Sequence, residues 1–196
     1  DGGNCGIGLE STVVDTTEPV PDILRPGGIT YEMLTEVLGA VEFDPALQGD
    51  SNYKPKAPGM KYRHYAPKSA MYLLEGEAAS CLPQCVTDAL NAGKRVGVLC
   101  SKSTAQALTQ NDNASGNLLV ASWGESLEEL AANLFYLLRD FDRTMRDVIL
   151  AEGVSESGIG LAVMNRMRKA AGYQIVTVNN GELSLKVGSL PEFMIK

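Results

Sequence analysis

Residues near the start of the chain are of the types that hold an anionic or sugar-bearing ligand. Ser11 and Thr12 open a short apolar run, where hydroxyl and backbone groups can hydrogen-bond a phosphate or a ribose. Arg25 offers a fixed fork of donors that suits anionic oxygens, and Pro26-Gly27 turns the chain directly after it. The alternative is that the hydroxyls are ordinary strand residues and that Arg25 is a solvated charge. The sequence is compatible with both interpretations.

A second candidate is the segment 58–67, in which cations alternate with aromatic rings. It contains Lys61, Tyr62, His64 and Tyr65, and it lies inside residues 51–74, which carry five basic side chains and no acidic one. A segment of this kind, bounded by proline and glycine, can fold over a ligand, stacking rings and pairing charges. The alternatives are an extended strap between domains and a contact strip for nucleic acid.

The third candidate is the glycine pair in residues 158–160, at the start of a predicted helix. Helix N-termini can accept an anion, but the third glycine and the acidic residue of a dinucleotide fingerprint are absent. The favoured interpretation is therefore a tight turn into a packed helix. Arg166, Arg168 and Lys169 of this helix are predicted to be solvated.

Composition limits the class of protein. The chain has 196 residues, 44% of them hydrophobic and 21% charged, with a formal charge of −7, which is typical of a globular domain. Net acidity disfavours unspecific nucleic-acid binding, and the short apolar runs disfavour a membrane span. His64 is the single histidine, which excludes zinc sites with several histidines, and Cys5, Cys81, Cys85 and Cys100 form no C-x-x-C pair. We therefore expect reduced thiols, buried at 81 and 85, no metal site and a cytoplasmic location.

Hydrophobic periodicity predicts strands and amphipathic helices in alternation, and hence a three-layer α/β domain with a mostly parallel sheet from Ala70 onward. The stretch before it holds two or three short strands and one helix capped by Thr30, too little to close a core alone. This stretch and the absence of an initial methionine lead us to expect a piece of a longer protein. The later elements are predicted as strands at 71–74, 96–100, 118–122, 148–151 and 174–178 and helices at 81–92, 126–141 and 161–171.

Taken in order, four motifs resemble those of threonylcarbamoyl-AMP synthases in their long, two-domain form. They are Gly-Leu-Glu-Ser-Thr-Val-Val-Asp (8–15), Ile-Leu-Arg-Pro-Gly-Gly-Ile-Thr (23–30), Ala-Pro-Gly-Met-Lys-Tyr-Arg-His-Tyr-Ala-Pro (57–67) and Gly-Ile-Gly-Leu-Ala-Val-Met-Asn-Arg-Met-Arg-Lys-Ala-Ala (158–171). The resemblance implies three parts: the last elements of a YrdC-like catalytic α/β domain (1–45), an interdomain linker (46–69) and a Rossmann-like domain (70–196).

The resemblance also implies a reaction. The amine of L-threonine takes up bicarbonate, and the resulting carbamate attacks the α-phosphate of ATP, releasing pyrophosphate and threonylcarbamoyl-AMP. ATP is expected as a substrate together with Mg²⁺. The product feeds the t6A modification at position 37 of tRNA through a downstream threonylcarbamoyl transferase machinery, so contact with tRNA is at most indirect.

Only some of the family's functional residues have counterparts in this chain. By resemblance, Ser11, Arg25 and Tyr62 belong to the ATP site, and the linker residues Lys61, His64 and Tyr65 belong to the substrate pocket. The Lys-x-Arg and Ser-x-Asn motifs of the family have no counterpart, and no general base or other catalytic residue is identified. We therefore expect the chain to be the C-terminal part of the enzyme and to be inactive alone.

Two other classes stay open at this point. One is a tRNA-binding module without catalysis of its own, suggested by the basic segment. The other is a carbamoyl-transfer enzyme that shares the YrdC-like domain, such as a hydrogenase-maturation protein, against which residues 57–67 and the second α/β domain argue.

Overall fold

A small sheet forms the first part of the fold. The structure, a computed structural model, describes residues 6–48, 66–109 and 116–195. Strands β1 (Val13–Asp15), β2 (Asp22–Arg25) and β3 (Glu42–Phe43) lie in that order, with β1 antiparallel and β3 parallel to β2. Helix α1 (Tyr31–Leu38) connects β2 to β3. The hydroxyl of Thr30 accepts a hydrogen bond from the Met33 amide at 3.4 Å, which confirms the predicted N-cap.

A second, larger sheet of six strands dominates the described residues. Its order is β6-β5-β7-β4-β8-β9, and all its pairs are parallel except β8 with β9. The prediction of an α/β domain with a mostly parallel sheet is confirmed. The strands are β4 (Ala70–Leu74), β5 (Val96–Cys100), β6 (Leu118–Ser122), β7 (Val148–Glu152), β8 (Ile175–Asn179) and β9 (Glu182–Leu185).

Helices cover both faces of this sheet. The connections through α2 (Leu82–Asn91) and α3 (Lys102–Thr109) step toward the β6 edge, and those through α4 (Leu127–Thr144) and α5 (Gly160–Ala170) step toward the β9 edge. Right-handed crossovers therefore place the two pairs on opposite faces, and α2 contacts α3 while α4 contacts α5. Short 3₁₀ turns occur at Pro45–Gln48, Gly76–Cys81 and Glu192–Met194.

The core lies between the central strands and the helices that cover them, with buried residues from α2, α4 and α5. All five residues of β5 are buried. Helix α4 begins at its predicted cap, where the Ser126 hydroxyl accepts from the Glu129 amide at 3.1 Å, and Phe141 near its end is fully buried. A Cβ on Gly97 of β5 would lie 2.7 Å from the Phe141 ring, so the strand has a glycine where that ring crosses it. Within the described ranges no helix is long and apolar enough to cross a lipid bilayer.

Two elements were not predicted from the sequence. Helix α3 is mostly polar and lacks an apolar stripe. Strand β9 pairs with β8 through a turn at Asn180-Gly181, where both residues have positive φ (52° and 82°). An Asn-Gly pair between two strand-like runs is a hairpin signal, so β9 was recognisable. The prediction of buried thiols is confirmed at Cys85, whereas Cys81 is half-buried.

Candidate functional site

Ser11 and Arg25 are brought together by the β1–β2 hairpin. Arg25 pairs with Val13 across the two strands, and its side chain reaches Ser11, two positions before Val13. Its Nε donates to the Ser11 carbonyl oxygen at 3.0 Å, and its Nη2 donates to Ser11 Oγ at 3.3 Å. Ser11 is exposed and Arg25 is half-buried. A hydroxyl and a guanidinium are thus held side by side at a surface that a ligand can reach.

The turn after Arg25 packs directly on residues 10–12, the segment before β1 that carries Ser11. A Cβ on Gly27 would lie 2.5 Å from the Glu10 carbonyl oxygen and from the Ser11 carbonyl carbon, and closer still to the Thr12 amide nitrogen. Thr12 is occupied within the fold, since its hydroxyl donates to the Ile29 oxygen at 2.6 Å and accepts from the Ile29 amide at 3.1 Å. Of the two hydroxyls considered as ligand groups, Ser11 is therefore the one that faces Arg25.

Helix α5 sends Arg166 into this hairpin. The residue is 6% exposed. Its Nε donates to Glu10 Oε2 at 2.9 Å, and its Nη1 donates to the Pro26 carbonyl oxygen at 2.6 Å and to Asn165 Oδ1 at 3.4 Å. Arg166 Nη2 is buried without a hydrogen-bond partner in the described part of the chain. A group from the larger fold thereby contacts the segment before β1 and the turn directly after β2.

Positive charge accumulates here in a protein that is acidic overall. Burial lowers the pKa of Lys169, and the charges of Arg166 and Arg25 lower it further. Burial likewise lowers the pKa of Arg166 despite its pairing with Glu10, and the charge of Arg25 adds to the effect. Burial alone would raise the pKa of Glu10, but a backbone hydrogen bond and the neighbouring arginines bring it below its usual value. Arg166 is thus paired with Glu10, and Arg25 and Lys169 lie close enough for the charges of this pair to act on them.

The glycine turn before α5 uses its amide within the fold. The Gly158 amide donates to Glu32 Oε1 of α1 at 3.1 Å. Hydrogen bonds with the Thr30 side chain, with the backbone of Glu32 itself and with the Gly158 amide lower the pKa of Glu32, the first of them most. A cleft of about 570 Å³ lies between α1 and this turn, bordered by Gly28, Thr30, Met33 and Ile159. The favoured interpretation of a tight turn into a packed helix agrees with this arrangement.

The predicted site residues are only partly within the described residues. Ser11 and Arg25 contact each other, whereas Lys61, Tyr62, His64 and Tyr65 fall outside the residues that the structure describes.

The prediction that the arginines of α5 are solvated is wrong. Arg166 is buried against Glu10, and Arg168 binds Glu75 at 2.7 Å and Glu156 at 2.6 Å with its side chain 23% exposed. The polar face of α5 is covered by carboxylates from distant segments, which helical periodicity does not reveal. The sequence did contain one signal that Arg166 is buried. Its neighbours along α5 are mostly apolar: Ala162, Val163, Met164 and Met167.

Comparison with known proteins identifies the family of the chain. The family model described as the threonylcarbamoyl-AMP synthase C-terminal domain matches residues 29–172. The chain belongs to this family. The resemblance stated from the four motifs is therefore confirmed.

Curated relatives named threonylcarbamoyl-AMP synthase are similar over most of this chain. The Pyrococcus abyssi protein is 46% identical over 91% of the chain and 50% of its own length. The Bacillus subtilis protein is 40% identical over 90% and 49%, and the Schizosaccharomyces pombe protein is 37% identical over 87% and 44%. The chain thus spans about half the length of the curated relatives it matches.

Solved structures of the P. abyssi protein share the fold. The crystal structure of P. abyssi Sua5 complexed with L-threonine matches with a TM-score of 0.76 and 44% identity, over 91% of this chain and 50% of that one. A variant of the same protein, with an adjacent histidine and tyrosine replaced by alanine, matches with the same TM-score and identity over 91% of this chain and 49% of that one.

Proposed function

We propose that this chain is the C-terminal part of an L-threonylcarbamoyladenylate synthase. In this proposal, residues 1–45 complete a YrdC-like catalytic domain, residues 46–69 form the linker and residues 70–196 form a Rossmann-like domain. The remaining wall of the active site would come from the half of the enzyme's length that this chain does not span.

The proposed reaction joins three substrates in two steps. The threonine amine, after loss of a proton, adds to bicarbonate with release of water, giving a carbamate. A carbamate oxygen then bonds to the α-phosphorus of ATP as the bond to the β-phosphate oxygen breaks and pyrophosphate leaves. ATP arrives as its magnesium complex, with the metal a part of the substrate. The product, threonylcarbamoyl-AMP, is passed to a transferase machinery that modifies tRNA, so tRNA is an indirect partner of this cytoplasmic nucleotidyltransferase.

The observation that carries the proposal is the contact between Arg25 and Ser11. Developing charge on transferring phosphates must be met by donors already in position. Arg25 is fixed by two hydrogen bonds to Ser11, and a guanidinium is a fork of donors that suits anionic oxygens. We assign Ser11 and Arg25 to the nucleotide, with no catalytic base among the described residues.

The linker is assigned to the same site. Tyr62 is proposed to contact the nucleotide, and Lys61, His64 and Tyr65 to line the substrate pocket. A His-Tyr pair is replaced in the solved variant of the P. abyssi protein, and in this chain Tyr65 follows the single histidine. A linker that closes over the ligands would exclude water from a reactive acyl phosphate.

The test compares this chain with a longer protein that has the length of the relatives. Pyrophosphate release is measured with ATP, bicarbonate and L-threonine, omitting each in turn, and the nucleotide product is identified by mass spectrometry. We expect the longer protein to form threonylcarbamoyl-AMP only when all three are present, and the 196-residue chain to form none. Absence of product from the longer protein would refute the proposed reaction. Turnover by the shorter chain would refute the proposal that part of the active site lies outside this chain.

A further inference from the structure

We propose that Arg166 is a positioning residue for the Ser11–Arg25 pair, so that helix α5 sets the geometry of the nucleotide site from outside it. This inference rests on the proposed function of that pair. Arg166 makes none of its described hydrogen bonds to Ser11 or Arg25, and the proposed function assigns it no contact with substrate.

The argument begins with the two positions that Arg166 holds. It binds the side chain of Glu10, the residue immediately before Ser11, and the carbonyl oxygen of Pro26, the residue immediately after Arg25. One planar guanidinium therefore holds the flanks of both members of the pair. Because its donors are rigidly related to each other, moving one flank relative to the other would break one of the two bonds.

Burial makes this contact costly to loosen. Arg166 is 6% exposed, whereas the Glu10 side chain is 34% exposed. Removing one partner of a buried charge pair leaves the other charge uncompensated. The Pro26 oxygen belongs to the same tight turn whose Gly27 contacts the backbone of residues 10–12. A displacement at Pro26 would therefore be transmitted to Ser11 through backbone contacts.

Charge gives Arg166 a second influence on Arg25. The two guanidinium groups repel, and this repulsion contributes to the lowered pKa of Arg166. The hold of Arg166 on the turn itself comes from its hydrogen bond to the Pro26 oxygen. Arg25 is directed toward Ser11, where its two hydrogen bonds lie.

Arg168 on the same helix supplies a matched control. Its guanidinium makes four hydrogen bonds, all to Glu75 and Glu156, and it binds no residue of the β1–β2 hairpin among the described contacts. Losing Arg168 removes at least as many ion-pair contacts from α5 as losing Arg166. A role that is only structural would therefore affect both variants alike.

The experiment uses the longer protein, with Arg166→Gln, Arg166→Lys and Arg168→Gln compared with the parent. We expect Arg166→Gln to raise KM for ATP at least fivefold while kcat falls less than KM rises, because the phosphate contacts lose their fixed geometry. Arg166→Lys keeps the charge but lacks the fork that reaches Glu10 and Pro26 together, so it should not restore KM. Arg168→Gln should leave KM for ATP within twofold of the parent.

The outcomes separate this inference from the proposed function. An inactive parent protein would refute the proposed function and, with it, the premise of the inference. An active parent with unchanged KM for ATP in both Arg166 variants would overturn the inference alone. A fall in kcat at constant KM, equal in Arg166→Gln and Arg168→Gln, would also overturn it, since loss of folded enzyme lowers kcat without altering KM. If Arg166→Gln does not fold, Arg166→Lys carries the same test of KM.

Discussion

Replacing Gly27 with alanine should push the turn after Arg25 away from the segment that carries Ser11. The added Cβ would lie 2.5 Å from two backbone atoms of residues 10 and 11, where ordinary contact begins at 3.4 Å. The backbone must therefore retreat by about 1 Å, and overpacking of this kind costs typically about 1–3 kcal/mol. Backbone atoms offer no alternative rotamer, so the cost cannot be relieved by a side-chain movement.

The magnitude follows from a graded series of three glycines. A Cβ on Gly6 meets nothing within 4 Å, and one on Gly28 meets the Ile7 side chain at 2.5 Å, which can move aside. We expect almost no effect for Gly6→Ala, an intermediate one for Gly28→Ala and the full cost for Gly27→Ala.

Amide hydrogen exchange measures this cost locally. The Ile29 amide, bonded to the Thr12 hydroxyl, should lose protection on the order of 10- to 100-fold in Gly27→Ala. The Gly153 amide, bonded to the Leu74 oxygen in the large sheet, serves as the internal reference and should be unchanged. Equal protection of Ile29 in Gly27→Ala and Gly6→Ala would refute the reasoning.

Three further outcomes are expected. Arg25→Ala in the longer protein should weaken ATP use more than tenfold, about 1.4 kcal/mol or above, and an unchanged rate constant would contradict the assignment. The side-chain and backbone hydrogen bonds of Arg95 hold the pKa of Asp147 at about 2, below its usual 3.8. The Arg95–Asp147 pair therefore stabilises the folded chain at pH values above the usual pKa of an aspartate, and this stabilisation is lost as the pH falls from about 4 toward about 2. Asp147→Asn should flatten the acid-unfolding curve in that pH range. A curve identical to that of the parent would contradict a stabilising role of the Arg95–Asp147 pair. Burial, followed by the charge of Glu152, raises the pKa of Cys100 to about 12, so a thiol reagent at about pH 8 should label it only after unfolding. Equally fast labelling of the folded chain would contradict that environment.

The elements that sequence reasoning located well are those fixed by local signals. Strands β5 and β6 have the predicted bounds, because each is a short, mostly apolar run that starts directly after a polar residue. The caps at Thr30 and Ser126 are also local, since a cap joins residues only three positions apart. Helix α3 was not predicted because its sequence is mostly polar. In the structure it contacts β6 and α2, and these contacts cannot be read from a sequence pattern.

The residue types of the site were recognisable, but the tertiary fold decided their arrangement. Ser11 and Arg25 are 14 positions apart, and the β1–β2 hairpin brings them together, so their contact depends on a short segment of the chain. Arg166 lies 156 positions from Glu10 and 140 from Pro26, and its environment depends on how α5 packs against the small sheet. Helical periodicity indicates which residues share a face, but not whether that face meets water or another segment. Local sequence therefore supplies the residue types and the short-range contact of the pair proposed for the nucleotide, whereas the buried environment of Arg166 depends on the tertiary fold.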